Sequence, residues 1–158
     1  LAVRELVELE ALPLPDPDAD DCEHKEERAQ RHAVFVDWLI TTFGVDELRA
    51  GGGVVDVGGG KGHVAALLVR DHGVPTTVID PAALGDDARA LANAGAPLRH
   101  LRGLVTLETC KSVLRGEGGD DVHVALRTAS CIVGMHPDQA TEPLVRAALL
   151  LGKSFATT

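Results

Sequence analysis

The stretch VVDVGGGKGH, residues 54–63, contains the strongest structural signal in this sequence. Its apolar start is typical of a buried strand, and the glycines that follow allow positive φ angles and a close approach of backbone N–H groups to a ligand. Residues 64–73, VAALLVRDHG, then predict a helix that ends at Gly73, with Pro75 just beyond it. Together these segments predict a strand that turns into a ligand-binding loop and then into a helix.

The segment TTVID, residues 76–80, completes this unit. Its β-branched residues predict a second strand, which ends at the acidic residue Asp80. The sequence therefore predicts a β-loop-α-β unit that ends in an acid.

Two familiar phosphate-binding loops have a different spacing. A Walker loop requires Ser or Thr after Gly-Lys, but Gly62 follows Gly60-Lys61 here. A dinucleotide-binding fingerprint that begins at Gly58 and Gly60 would place His63 where a small residue is needed for close packing of the helix on the strand. The spacing disfavours NAD and FAD, and an NAD(P)-dependent oxidoreductase stays open as an alternative.

The remaining pattern, acid-x-G-x-G-x-G, resembles the first motif of class I S-adenosylmethionine-dependent methyltransferases. The cofactor-binding residues that this resemblance implies are Asp56, Gly58, Gly59, Gly60, Gly62, Asp80 and Pro81. In such a site the Asp80 carboxylate would accept hydrogen bonds from the two ribose hydroxyls of S-adenosylmethionine. Asp56 would lie near the amino-acid end of this cofactor and favour its ammonium group directly or through water. The resemblance implies S-adenosylhomocysteine as the product.

Strand and helix patterns alternate along the rest of the chain. Helices are predicted over residues 2–11, 25–43, 86–94, 105–114 and 142–151, and strands over residues 98–101, 130–135 and 154–158. This alternation, together with the resemblance, predicts a Rossmann-like, doubly wound α/β fold with a mainly parallel sheet, strand order 3-2-1-4-5 and helices on both faces. Residues 1–21 are predicted to form a helix and a Pro/Asp-rich linker, and residues 22–158 the S-adenosylmethionine-binding domain.

A second chemically informative segment, HPDQATE at residues 136–142, follows the predicted fourth strand. In class I methyltransferases the loop at this point commonly faces the methyl group and the acceptor. His136 is a candidate general base and Asp138 a candidate orienting residue or proton acceptor. The alternatives are that His136 only bonds backbone, and that Asp138 or Thr141 caps the next helix, with Pro143 in the first turn favouring Thr141.

Four segments narrow the resemblance: RHAVFVDWL at 31–39, DVGGGKGH at 56–63, VIDP at 78–81 and GMHPDQATE at 134–142. Together they resemble a little-characterised family of eukaryotic methyltransferase-domain proteins over roughly residues 22–158. A looser similarity links the chain to methyltransferases that modify tRNA, which makes RNA one possible acceptor, although the spacing from His to Ala-Thr is one residue shorter here. Members continue past strand five with a Pro-Cys-Cys segment and two more strands, so the resemblance implies that the C-terminal strands are missing.

Composition limits the classes of partner. The net charge is −9, but residues 16–27 carry seven of the acidic and one of the basic side chains, and the remaining 17 acidic and 14 basic residues give only −3. With three Phe, one Trp and no Tyr, the chain offers few aromatic rings for base stacking, so its composition does not support nucleic-acid binding. The three widely spaced cysteines predict reduced thiols and no metal site.

The chain has no apolar run of about 18 residues and no signal-peptide pattern, which predicts a cytoplasmic or nuclear protein without membrane contact. We expect an S-adenosylmethionine-dependent methyltransferase that acts on an unknown acceptor. A non-catalytic S-adenosylmethionine-binding module is the main alternative. The unpaired edge of strand five would favour self-association.

Overall fold

A computed structural model describes residues 21–158, and side chains are described from residue 30 onward. The helix predicted over residues 2–11 and most of the predicted linker therefore lie outside the described residues. The described part has an α/β fold that is built around one five-stranded sheet.

All strands of this sheet are parallel, in the order β3-β2-β1-β4-β5. The strands are β1 (Val54–Val57), β2 (Thr76–Ile79), β3 (Leu98–Leu101), β4 (Cys131–Gly134) and β5 (Ser154–Thr157). β1, β2 and β4 are buried at every position, because helices cover both faces of the sheet. The predicted Rossmann-like fold and strand order are confirmed.

Seven α-helices are described, and one 3-10 turn precedes the last of them. They are α1 (Asp21–Phe43), α2 (Val45–Arg49), α3 (His63–His72), α4 (Asp86–Asn93), α5 (Leu107–Leu114), α6 (Asp121–Thr128) and α7 (Thr141–Leu151), and the turn is Asp138–Ala140. None of these helices is long and apolar enough to cross a membrane.

Two layers of apolar side chains hold the helices on the sheet. On one face, Leu39 of α1 and Leu68 of α3 are fully buried in a cluster that includes Val54. On the other face, Leu126 of α6 and Leu144 of α7 are buried in a cluster that includes strand residues such as Ile132. Neighbouring residues of one strand point to opposite faces, so a single short strand serves both layers.

Several local details differ from the sequence-based predictions. α1 is already helical at Asp21, the first described residue, whereas its predicted start was residue 25, and neither α2 nor α6 was predicted. The prediction that Thr141 caps α7 is wrong, because Ala140 is the N-cap and makes no side-chain capping bond. The Thr141 hydroxyl instead donates to the carbonyl oxygen of Asp138 at 2.9 Å.

The two outer strands of the sheet, β3 and β5, each pair with one described strand and leave one edge free of a described partner. β5 pairs with β4 alone among the described strands. Self-association through the outer edge of β5 stays a prediction.

Candidate functional site

Parallel strands bring the residues that follow them to one edge of the sheet, where ligands of doubly wound folds bind. The glycine loop follows β1, Asp80 follows β2, and the segment 135–140 follows β4. These segments surround a cavity of about 310 Å³. Five of the predicted site residues line it, namely Gly58, Asp80, Pro81, His136 and Asp138.

The other four predicted residues do not line this cavity. Asp56 lies within β1, and Gly59, Gly60 and Gly62 belong to the loop that continues from it. Gly62 is buried and is the N-cap of α3, where an added Cβ would meet the side chains of Leu84 and Ala88. The structure thus separates cavity-lining residues from residues that shape the loop.

Asp80 connects the loop to the cavity. Its side chain is 9% exposed, and its two carboxylate oxygens accept hydrogen bonds from the N–H of Gly60 at 2.9 Å and from the N–H of Ala82 at 2.7 Å. Each carboxylate oxygen can accept a second hydrogen bond. Asp80 therefore fixes the glycine loop and keeps capacity to accept hydroxyl groups of a ligand.

Asp56 is the most unusual polar group of the site. It is 1% exposed, and neither carboxylate oxygen has a hydrogen-bond partner within the described residues. Burial, and to a lesser extent the nearby charge of Asp80, raises the pKa of Asp56 to about 7. Burying a carboxylate without a partner is costly, so this position favours a cationic group or an ordered water molecule that would satisfy it.

His136 and Asp138 have backbone conformations that are uncommon for residues with a side chain. Their φ angles are 52° and 45°, in the left-handed region that favours glycine. The N–H of His136 donates to the hydroxyl of Thr158 at 3.3 Å, which links this loop to the end of β5. Both side chains are exposed on the cavity wall, and strained backbone of this kind is concentrated at functional sites.

Sequence reasoning missed one wall of the cavity, which consists of Gly103, Leu104 and Val105. These residues follow β3, whose carboxyl end lies at the same edge of the sheet as the ends of β1, β2 and β4. Leu104 is 64% exposed and gives this wall an apolar surface. The available signal was the glycine that closely follows the predicted third strand.

Two glycines of the loop allow a matched test of this geometry. An added Cβ would lie 3.3 Å from Pro137 at Gly58 but would meet nothing within 4 Å at Gly60, while both residues have positive φ. We expect Gly60→Ala to cost about 1–2 kcal/mol of unfolding free energy from backbone strain alone. Gly58→Ala should cost more, because Pro137 must also move, and urea denaturation of both variants would measure the difference. Equal losses would contradict the close approach of these two loops.

The described residues contain no group of three or more His, Cys, Asp or Glu side chains that could hold a metal ion. No protein-family model matches this sequence, and no curated protein is significantly similar to it. Any functional interpretation therefore depends on the residues and geometry of the site itself.

Proposed function

We propose that this chain is an S-adenosylmethionine-dependent methyltransferase of class I. The observation that carries the proposal is the pair of acids at the carboxyl edge of the sheet: Asp56, buried and without a partner, and Asp80, which lines the cavity. Asp138 adds a third acid, which also lines the cavity. This arrangement favours a ligand with cationic groups, such as a sulfonium and an ammonium, over the anionic pyrophosphate of a dinucleotide.

The residues present fit the groups of this cofactor. Asp80 would accept the ribose hydroxyls with its remaining lone pairs, and Asp56, which is buried and does not line the cavity, would favour the ammonium through its charge or through an ordered water. Leu104 and Val105 would provide apolar contact. The unpartnered oxygens of Asp56 support this assignment independently of the glycine motif, because they require a donor that the described protein does not supply.

When bound, S-adenosylmethionine supplies an electrophilic methyl group on its sulfonium sulfur. His136 and Asp138 would act on the acceptor, with His136 removing a proton from the nucleophile and Asp138 orienting it. Holding the acceptor in place can contribute roughly 7–11 kcal/mol in well-oriented systems. The acceptor is proposed only as a nucleophile that loses a proton, and RNA is one such molecule.

Calorimetric titration of the purified chain with S-adenosylmethionine, S-adenosylhomocysteine and NAD tests the proposal. We expect micromolar dissociation constants for the first two ligands and no heat of binding for NAD, because its pyrophosphate would lie beside the carboxylates of Asp80 and Asp138, which line the cavity. Binding of NAD alone, or of none of the three, would overturn the assignment. Binding followed by failure of methyl transfer across a screen of nucleic acids, proteins and small molecules would identify a cofactor-binding module.

A further inference from the structure

A second cluster of chemically active side chains lies between α5 and α6. The Ser112 hydroxyl oxygen is 2.6 Å from Nε2 of His123, and Nδ1 of the same ring is 2.6 Å from Oδ1 of Asp120. None of the three residues lines the cavity described above. We propose that Ser112, His123 and Asp120 form a separate nucleophilic site, in which the Ser112 hydroxyl reacts with activated acyl or phosphonyl groups.

Nδ1 of His123 faces the Asp120 carboxylate, which favours a proton on that nitrogen. Asp120 accepts from His123 twice, since Oδ1 also accepts the backbone N–H of His123 at 3.0 Å as the N-cap of α6. The side-chain hydrogen bond from His123 lowers the pKa of Asp120, so this carboxylate is ionised and favours a proton on Nδ1. With the proton on Nδ1 alone, the lone pair of Nε2 faces the Ser112 hydroxyl, which is the arrangement a general base needs.

The cluster can hold a proton without losing a hydrogen bond. The Ser112 hydroxyl also donates to the carbonyl oxygen of Thr109 at 3.0 Å, and because it carries one hydrogen it donates either to Thr109 or to Nε2 of His123. In the protonated form, Nε2 would donate to Ser112, the hydroxyl could turn to Thr109, and Asp120 would stabilise the charged ring. His123 would thus keep its hydrogen bonds both before and after it accepts a proton. A general base that takes a proton from an attacking hydroxyl needs this property.

The glycine-rich turn between α5 and α6 places backbone without side chains beside the His123 ring. An added Cβ at Gly118 would lie 2.5 Å from Nε2 of His123, so a side chain at Gly118 would collide with the ring. At Gly119 an added Cβ would meet nothing within 4 Å, which shows open space on the same turn. The His123 side chain is 13% exposed, so the ring is shielded while the turn beside it is open.

The proposed reaction transfers an acyl or phosphonyl group to the Ser112 oxygen. A bond forms between the Ser112 oxygen and the electrophilic carbon or phosphorus atom, and the bond from that atom to its leaving group breaks. The Ser112 proton passes to Nε2 of His123, which then returns it to the departing anion. The products are an O-acyl or O-phosphonyl Ser112 and the protonated leaving group, and no oxidant or metal ion is required.

The alternative is that the same hydrogen bonds only clamp α5 to α6. The substitution Asp120→Asn separates the two roles, because Asn also caps helices well but lacks the negative charge that favours a proton on Nδ1. A clamp would be nearly unaffected by this change, whereas a nucleophilic site would react more slowly. Ser154, an exposed serine on β5, is the matched serine without a histidine partner in the described part of the chain.

The experiment is reaction of the full chain with a fluorophosphonate, followed over time by intact mass and by peptide mapping. We expect one adduct on Ser112, lost in Ser112→Ala and unchanged in Ser154→Ala. The rate should fall roughly 10²- to 10⁴-fold in His123→Gln and at least about tenfold in Asp120→Asn. Circular dichroism melting would identify which variants are folded. No adduct on Ser112 of the folded wild-type chain, or a rate in folded Asp120→Asn within about tenfold of wild type, would overturn the proposal.

Discussion

The substitution Asp80→Asn is expected to weaken S-adenosylmethionine binding by about 10²-fold or more. A hydrogen bond to a charged group contributes about 1.5–3 kcal/mol, and the proposal assigns two ribose hydroxyls to this carboxylate. Asn would also direct its NH₂ group toward the N–H of Gly60 or of Ala82, where Asp80 has an acceptor. Titration calorimetry with S-adenosylmethionine and with S-adenosylhomocysteine would measure the loss.

The matched control for this experiment is Asp87→Asn, an exposed acid on α4 that does not line the cavity. Its dissociation constant should equal that of the wild-type chain. Thermal melting without ligand would show whether Asp80→Asn remains folded. If folded Asp80→Asn bound S-adenosylmethionine within about threefold of wild type, less than the effect of one charged hydrogen bond, Asp80 would not hold the ribose.

Asp56 makes a separate prediction about stability and pH. Its pKa is about 7 in the folded protein against 3.8 for an ordinary aspartate. Between these two pH values the folded state therefore keeps the proton on Asp56, whereas the unfolded state has lost it. Stability from this group is therefore fully present below about pH 3.8 and is lost as the pH rises through about 7. Asp56→Asn removes this titration. The unfolding free energy of the variant minus that of wild type should therefore rise by about 2–3 kcal/mol from pH 5 to pH 8.

Denaturant unfolding of both proteins at pH 5 and pH 8 would check this expectation. Comparing the two pH values cancels any constant cost of the buried amide. Asp46→Asn, at an exposed position of α2, controls for the general effect of removing one carboxylate. A difference between wild type and Asp56→Asn that is the same at both pH values would mean that Asp56 is not a buried, desolvated acid.

These two predictions differ in what they require. The Asp80 result depends on the proposed cofactor, whereas the Asp56 result depends only on burial and the lack of a partner. If the Asp56 prediction held and the Asp80 prediction failed, Asp56 would be confirmed as a buried acid and the assignment of S-adenosylmethionine as the cofactor would be wrong. Saturating S-adenosylmethionine should also reduce the pH dependence, because a bound cation favours ionised Asp56.

Local sequence patterns were sufficient for the β-loop-α-β unit, whereas the strand order was predicted from the alternation of strands and helices together with the family resemblance. β1, the glycine loop, α3 and β2 follow one another within 27 residues, and each has a local pattern of apolar, turn or capping residues. β3 was predicted with its observed bounds, Leu98–Leu101. The bounds of these strands and of α3 depend on neighbouring residues along the chain, so they can be recognised without knowing the tertiary contacts.

Only the tertiary structure decided the charge state of Asp56, the backbone strain at His136 and Asp138, the cavity wall at Leu104 and the contact of Ser112 with His123. Each depends on segments that are distant in sequence: burial of Asp56 requires the assembled sheet, and Ser112 meets His123 because α6, which was not predicted, packs beside α5. Local patterns of hydrophobicity encode strands and helices. Desolvation and side-chain pairing are properties of the packed molecule, and they become defined only when the layers come together.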